Sequence, residues 1–396
     1  MKDLKIFATQ VEQEALDQIE LLLAQPAFAD CKVRIMPDVH AGAGCVIGFT
    51  ADLGDKVIPN VVGVDIGCGM LTTEFTGKLN LPFLDAVIRN MIPSGMKVRD
   101  HALFCYEGLD RLYCKSQIRN DGYFERSIGT LGGGNHFIEV DTDGNGRKYL
   151  VIHSGSRNLG VQVAKYYQNL AIKNRDKYTE MYLRESKERV IRDLKNSGRQ
   201  NMISHALARL KEINKEYEVP DQLCFLTGEE RQMYLHDMQI CQNYASINRD
   251  AIADIIIRMM EWEVVDRFET IHNYIDLGTN IVRKGAVSAK KGEKILIPLN
   301  MRDGSLICIG KGNDDWNQSA PHGAGRLMSR RAAKENLSME DYHEEMRGIF
   351  TTSVSRDTLD EAPGAYKPWD AIVPLLADTV DVRKPIRPIH NFKAGE

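Results

Sequence analysis

The stretch VGVDIGCGM, Val62–Met70, places an aspartate and a cysteine three residues apart among three glycines and otherwise apolar residues. Glycine adopts backbone angles that other residues avoid and lets a second group approach closely. Asp65 and Cys68 can then point at one spot, and a carboxylate and a thiolate aimed at one point suggest a metal ion. These nine residues alone favour a plainer reading, a tight turn around a buried cysteine, because free cysteine is among the most buried residue types.

Working outward, the 396 residues suffice for a large core, with 43% hydrophobic and 27% charged residues, as in a soluble globular protein. No apolar run approaches a membrane span. The N-terminus MKDLKIFATQVEQE carries charges where a signal peptide has its apolar core, so a cytoplasmic protein is expected. The eight cysteines are scattered without a CxxC pair, which fits neither a disulfide framework nor a zinc ribbon. A net charge of −4 does not advertise nucleic-acid binding, although a local basic channel can bind phosphates on an acidic protein.

The chain begins with a strand expected at 4–8, then a helix whose apolar positions 11, 15, 16, 19, 22 and 23 have helical spacing, closed by Pro26. CKVRIMP reads as a strand leading into the glycine-rich stretch 42–69. Apolar runs at 135–140 and 149–153 read as buried strands ending at chemistry. Residues 161–217 are charged and helical by composition, and are expected to project as an antiparallel pair. Between 173 and 199 there are nine Lys/Arg against five Asp/Glu, which reads as a solvated helix face. A long helix is expected over 228–265, with an apolar stripe at Ile240, Tyr244, Ile247, Ala251 and Ile255. No linker or repeat divides the chain. One domain, 1–396, is expected, with a helical excursion at about 161–265.

Four of the ten histidines sit on glycine-rich or strand-end turns, where sites are built. They are His136 (GTLGGGNHFIEV), His153 (YLVIHSGSRNLG), His272 (ETIHNYIDLG) and His322 (SAPHGAGRLMSRRAA), the last placed at the opening of a helix. With Asp65 and Cys68 they make six candidate groups. That is too many for one tetrahedral zinc but suits two ions, since imidazole and carboxylate fit Mn²⁺, Zn²⁺ or Fe²⁺ and a thiolate can bridge. Two adjacent ions are a common arrangement for displacement at phosphorus. GGGN and HGAGR can present backbone N–H groups to phosphate oxygens. GxxxxGK[ST] and Lys-x-Asp-Gly are absent, so a covalent nucleotide intermediate would use histidine. His236–Asp237, which resembles an HD phosphohydrolase pair, lies in a helical stripe without matching partners and reads as structural.

Taken together, MPDVHAGAGCVIG, VIPNVVGVDIGCGM, LGGGNHFIEV, VIHSGSRNLG, HNY, HGAGRLMSR, DEAPGAYK and the C-terminal Lys393 resemble the RtcB family of RNA-splicing ligases over nearly the whole length, in order and spacing. The resemblance implies an α+β fold, a single mixed α/β domain with sheets around a deep metal-containing cleft and peripheral helices. It implies that Asp65, Cys68 and His136 hold one Mn²⁺, and Cys68, His153 and His272 a second. His322 would be the nucleophile that takes GMP from GTP. Asn135 and Asn273 would hold phosphate groups, Glu139, Tyr366 and Lys393 would surround the guanosine, and the backbone at Ala324 and Gly325 would cradle it. Arg157 would contact an RNA phosphate. GMP would pass to an RNA 3′-phosphate, giving RNA(3′)pp(5′)G, and a 5′-hydroxyl end would displace it; a 2′,3′-cyclic phosphate would first be opened. The resemblance leaves open RNA repair or tRNA splicing, an activating protein and the oligomeric state.

Where the family shows PGSMG and a second serine, this chain has NMRDGSLICIGKGND, 300–314. Ser305 aligns with the first serine and Gly310 falls near the second. Asp303 is a candidate replacement that would accept from guanine N–H groups. Pro321 before His322 restricts Ala320 and removes a backbone donor. These departures resemble a divergent, shorter bacterial branch. They motivate an alternative, a two-metal RNA phosphodiesterase or cyclic-phosphate hydrolase without ligation.

Overall fold

A computed structural model describes residues 3–28, 30–213 and 219–394. The fold is mixed α/β, as expected, and its largest sheet curls into a half-barrel. In spatial order this sheet runs Lys294–Asn300, Gly304–Gly310, Val380–Lys393, Phe137–Thr142, Lys148–Ser154, Gly69–Thr76, Glu263–Ile271, and Phe350–Thr351 pairs with Val380–Lys393. A five-stranded sheet runs Asp3–Ile6, Lys32–His40, Ile47–Asp52, Ile281–Lys284, Asn273–Ile275. A short pair, Ala286–Ser288 with Ser319–Pro321, accompanies them.

Successive residues of a strand face opposite ways, and that alternation builds the site. On one face of the large sheet Leu71, Ile138, Val140, Leu150 and Ile152 pack with Ile252, Ala253 and Ile256 of the helix Gly228–Met260. Burying each such aliphatic side chain contributes about 1.5–3 kcal/mol. On the other face Met70, Phe137, Tyr149, Val151, Leu296, Ile307 and Ile386 form a second cluster. Glu139 and His153, in step with Phe137 and Val151, are carried on this face.

Three expectations change. The helix expected over 228–265 ends at Met260, and Glu263 opens a strand. The expected stripe packs on the core, with Ile240 and Tyr244 buried and Ile247, Ala251 and Ile255 half-buried, and beside it Asn248 and Arg249 are fully buried. These two polar residues do work that hydropathy cannot show, as described below. Among residues 161–217, the helix Leu159–Lys173 packs in the core through Val163, Ala164, Tyr167 and Ala171. The excursion is therefore shorter, formed by Arg175–Asn196 and Ile203–Ile213, and residues 214–218 lie outside the described residues. Finally, His322 opens no helix. It follows the strand Ser319–Pro321, and the next helix starts at Arg330, because Gly325 takes a left-handed φ of 78° that breaks the run. A Cβ there would meet the Asp38 backbone at 2.8 Å.

Asp237 is structural, as expected. It is fully buried and accepts from the Tyr113 and Cys114 backbone N–H groups at 2.9 and 3.0 Å and from the Tyr167 hydroxyl at 2.8 Å.

Candidate metal centre and adjoining cleft

Asp65 and Cys68 lie on the turn that enters the strand Gly69–Thr76, and Cys68 N–H donates to Asp65 O at 3.2 Å. Neighbouring strands bring the histidines to this turn. Met70 pairs with His153, Phe137 pairs with His153 from the other side, and His272 N–H donates to Cys68 O at 3.0 Å. The turn itself is held from below. Arg249 Nη1 donates to Gly67 O at 2.9 Å and to Ser154 O at 2.5 Å. Asn248 accepts from the Gly129 and Thr130 N–H groups at 2.8 and 3.1 Å and donates to Thr130 O at 3.1 Å and Ser154 Oγ at 3.0 Å. Gly155 must be glycine, because a Cβ would stand 2.2 Å from Asp65 Oδ1.

The donors converge. Cys68 Sγ lies 3.3 Å from His153 Nε2 and 3.5 Å from His136 Nε2. His153 Nε2 lies 3.1 Å from His272 Nε2, and His136 Nε2 lies 3.2 Å from Asp65 Oδ2. They form two sets that share Cys68: Asp65, Cys68 and His136, and Cys68, His153 and His272.

The chemistry of these donors fits divalent ions. His136 Nδ1 lies 2.9 Å from Leu131 O. A carbonyl only accepts, so Nδ1 carries the hydrogen and Nε2 offers its lone pair to the centre. Burial pushes His272 down to about 3 and His153 well below the usual imidazole value, with neighbouring imidazoles adding to it. Both rings are therefore neutral, the ligating form. Burial and Asp65 push the Cys68 thiol up, so its proton leaves only if a cation replaces it.

His322 stands beside this centre, its ring centroid 4.9 Å from that of His272. Asp38 Oδ2 accepts from the His322 backbone N–H at 3.2 Å and lies 2.7 Å from Nδ1. Nδ1 therefore bears the hydrogen, and Nε2 keeps a free lone pair. Asp38, in MPDVHAG, is fully buried and carried no role in the sequence reading.

From His322 and His153 a cleft extends along the concave face of the sheet. Asn135, Glu139, Ala324, Gly325, Tyr366 and Lys393 line it, as do Arg326, Arg330, Glu361 and Asn391. Glu361 also had no role in the sequence reading. It is 2% exposed and receives the Tyr366 hydroxyl at 2.7 Å, Arg330 Nη1 at 2.7 Å, Arg326 Nη1 at 3.3 Å and the Lys393 ammonium. Burial raises its carboxyl, but Lys393 and Arg330 outweigh burial and bring it to about 2.

Four sequence candidates stand elsewhere. Asn273 spends both ends of its amide on the protein, donating to Asp65 O at 3.2 Å and accepting from Gly285 N–H at 3.0 Å. Asp303 accepts from Arg302 Nε at 3.0 Å and Asn300 Nδ2 at 2.8 Å and is not among the cleft-lining residues. Ser305 is fully buried in its strand, also off the cleft. Arg157 donates to Thr130 Oγ1 and to Gly95 O, both at 2.8 Å, and so ties the loops beside His136. Its backbone, with that of Asn158, is left-handed at φ 50° and 70°, conformations that non-glycine residues rarely adopt.

Fold and site together define a class: a mixed α/β protein whose curled sheet carries a cysteine-shared, metal-capable histidine centre opening into a polar cleft. The family model of the tRNA-splicing ligase RtcB matches residues 21–103 and 107–394, and the chain belongs to that family. The RNA-splicing ligase RtcB of Escherichia coli K12 is 30% identical over 424 residues, covering 96% of this chain and 94% of its own. The tRNA-splicing ligases RtcB of Thermococcus kodakarensis and Nanoarchaeum equitans are 27% and 26% identical, each covering 86% of this chain and 83% of their own. No helix among the described residues is long and apolar enough to cross a membrane.

Proposed function

We propose that the protein is a GTP-dependent RNA ligase that joins an RNA 3′-phosphate or 2′,3′-cyclic phosphate end to a 5′-hydroxyl end, in RNA repair or tRNA splicing in the cytoplasm. The observation that carries this reading is the adjacency of His322, with Nε2 free, to two donor sets sharing Cys68. Asp65, Cys68 and His136 would hold one ion, and Cys68, His153 and His272 the other, with Mn²⁺ suited to both. When bound, the ions supply charge neutralisation and oxygen activation for displacement at phosphorus.

The chain's own residues account for the rest. Asp38 holds the Nδ1 hydrogen of His322, so Nε2 is the attacking atom. Its lone pair forms the bond to the α-phosphorus of GTP, the bond to the pyrophosphate oxygen breaks, and pyrophosphate leaves. A 3′-phosphate oxygen of the first RNA then takes the GMP from Nε2. The 5′-hydroxyl oxygen of the second RNA attacks the activated 3′-phosphorus, gives up its proton, and GMP leaves. Asn135, Ala324 and Gly325 line the cleft beside His322, where phosphates would sit. Glu139, Tyr366 and Lys393 line the same cleft and would surround the base and ribose. Arg157 would meet an RNA phosphate with Nη1, the nitrogen left over from its two loop contacts. We place the catalytic unit in the whole chain, 1–396.

The test supplies RNA with a 3′-phosphate end, or in parallel a 2′,3′-cyclic phosphate end, together with a 5′-hydroxyl RNA and Mn²⁺, with and without GTP, and reads the products on a denaturing gel. A joined strand that requires GTP is expected. Opening of a 2′,3′-cyclic end without joining, with or without GTP, would replace this reading with the hydrolase.

A further inference from the structure

Asn391 belongs to none of the residues given a role so far. The register of Val380–Lys393 on Phe137–Thr142 sets it directly opposite Glu139, so both side chains leave the sheet on one face. Its Nδ2 donates to Glu139 Oε1 at 2.9 Å, and both residues line the cleft. Asn391 is 1% exposed, and its Oδ1 has no hydrogen-bond partner among the described residues. Most buried polar side-chain atoms find a hydrogen-bond partner. Here only the end of the amide facing Glu139 does.

The surroundings of Glu139 offer no substitute. Asp141, two positions along the same face, is fully buried with neither oxygen partnered. On that side Glu139 meets a second carboxyl rather than a donor. Lys393 approaches from the neighbouring strand, but its ammonium is held by Glu361. Among the described residues, Asn391 is thus the one hydrogen-bond donor to the Glu139 side chain.

We propose that Asn391 is a positioning residue for base selection. By tethering Oε1 it sets the Glu139 carboxylate so that it accepts two adjacent N–H donors on the edge of a guanine-type base. An adenine, which offers one amine beside a ring acceptor, gains only half of this. The inference rests on the guanosine reading above and names what enforces it in this chain.

The test measures covalent labelling of the whole protein by α-³²P GTP and α-³²P ATP over a range of concentrations, in wild type, Asn391→Leu and the isosteric Asn391→Asp. Losing one hydrogen bond to a charged group corresponds to roughly a 10-fold to 100-fold effect. KM for GTP is expected to rise by that factor in both variants and the GTP-to-ATP preference to narrow with it, the loss falling on KM rather than on the maximal rate. A purely structural role lowers the labelled fraction for both nucleotides alike and leaves the preference where it was. An unchanged preference in both variants overturns the role of Asn391 alone. No label on wild type from either nucleotide overturns the guanosine reading and this inference with it.

Discussion

Replacing Asp38 by asparagine tests how His322 is made a nucleophile. One oxygen, Oδ2, accepts both from the His322 backbone N–H at 3.2 Å and from Nδ1 at 2.7 Å. In Asp38→Asn the amide can keep this geometry only if its oxygen takes that place. The charge is then gone, and a neutral hydrogen bond is about half as strong as a charge-assisted one. With charge-assisted bonds worth roughly 1.5–3 kcal/mol, the loss is about 0.8–1.5 kcal/mol, or roughly fourfold to tenfold. If the amide NH₂ takes the place instead, it can only donate to Nδ1. The ring hydrogen then moves to Nε2 and removes the attacking lone pair. The two arrangements together predict a fall of about 4-fold to 100-fold in the rate at which His322 acquires GMP. KM for GTP should change little, because Asp38 lies behind the imidazole. The assay is single-turnover labelling with α-³²P GTP, with circular dichroism to confirm the fold. A variant labelled at the wild-type rate would refute the idea that Asp38 fixes the tautomer.

Three further outcomes follow from the same geometry. Glu361→Gln should cost about 3 kcal/mol of stability at neutral pH, from a carboxyl drawn from 4.5 to about 2. Because the folded value lies below the unfolded one, this stabilisation is present above about pH 4.5 and is lost as pH falls towards 2, so urea midpoints of wild type and variant should converge in acid; parallel curves would contradict it. Burial pushes the Glu139 carboxyl well above the usual carboxylate range, against the Asn391 hydrogen bond and the Lys393 charge, so ionising it to receive a base releases a proton. KM for GTP should therefore fall as pH rises above the ordinary carboxylate range in wild type and not in Glu139→Gln, and identical pH profiles would dispose of the idea. Cys68 belongs to both donor sets, so Cys68→Ala should lose most of the bound metal measured by plasma mass spectrometry, and peroxide treatment should inactivate in step with Cys68 oxidation. Full metal content in the variant, or full activity with Cys68 oxidised, would show that no thiolate bridge exists.

Much of the site was legible because its chemistry is concentrated in short glycine-bounded stretches. DIGC, GNHF, VIHS and HNY each carry a donor at a strand end, and strand ends of one sheet meet. Glu139 entered only through the resemblance, and in the structure period-two alternation carries it with His153 onto the face of the cleft. What escaped were residues whose role comes from contact across the fold. Asn248 and Arg249 sit beside the apolar stripe of their helix, and hydropathy counts against the buried amide and guanidinium that hold the backbone around the centre. Asp38 and Glu361 lay inside recognised motifs, but a lone carboxylate does not announce which histidine or cation it will meet. Asp303 shows the opposite case. Its composition suited a base contact, and its neighbours Arg302 and Asn300 had already claimed it. The long helix was overrun by five residues because the apolar residues of EVV continue its composition while changing its geometry.

The central claim is that His322 carries GMP. Incubation of wild type and His322→Ala with α-³²P GTP and Mn²⁺, followed by a denaturing gel, tests it most directly. The account predicts label on wild type, none on the variant, and release of the label when an RNA 3′-phosphate is added. Metal-loaded wild type that takes no label, or His322→Ala labelled as strongly as wild type, would contradict it.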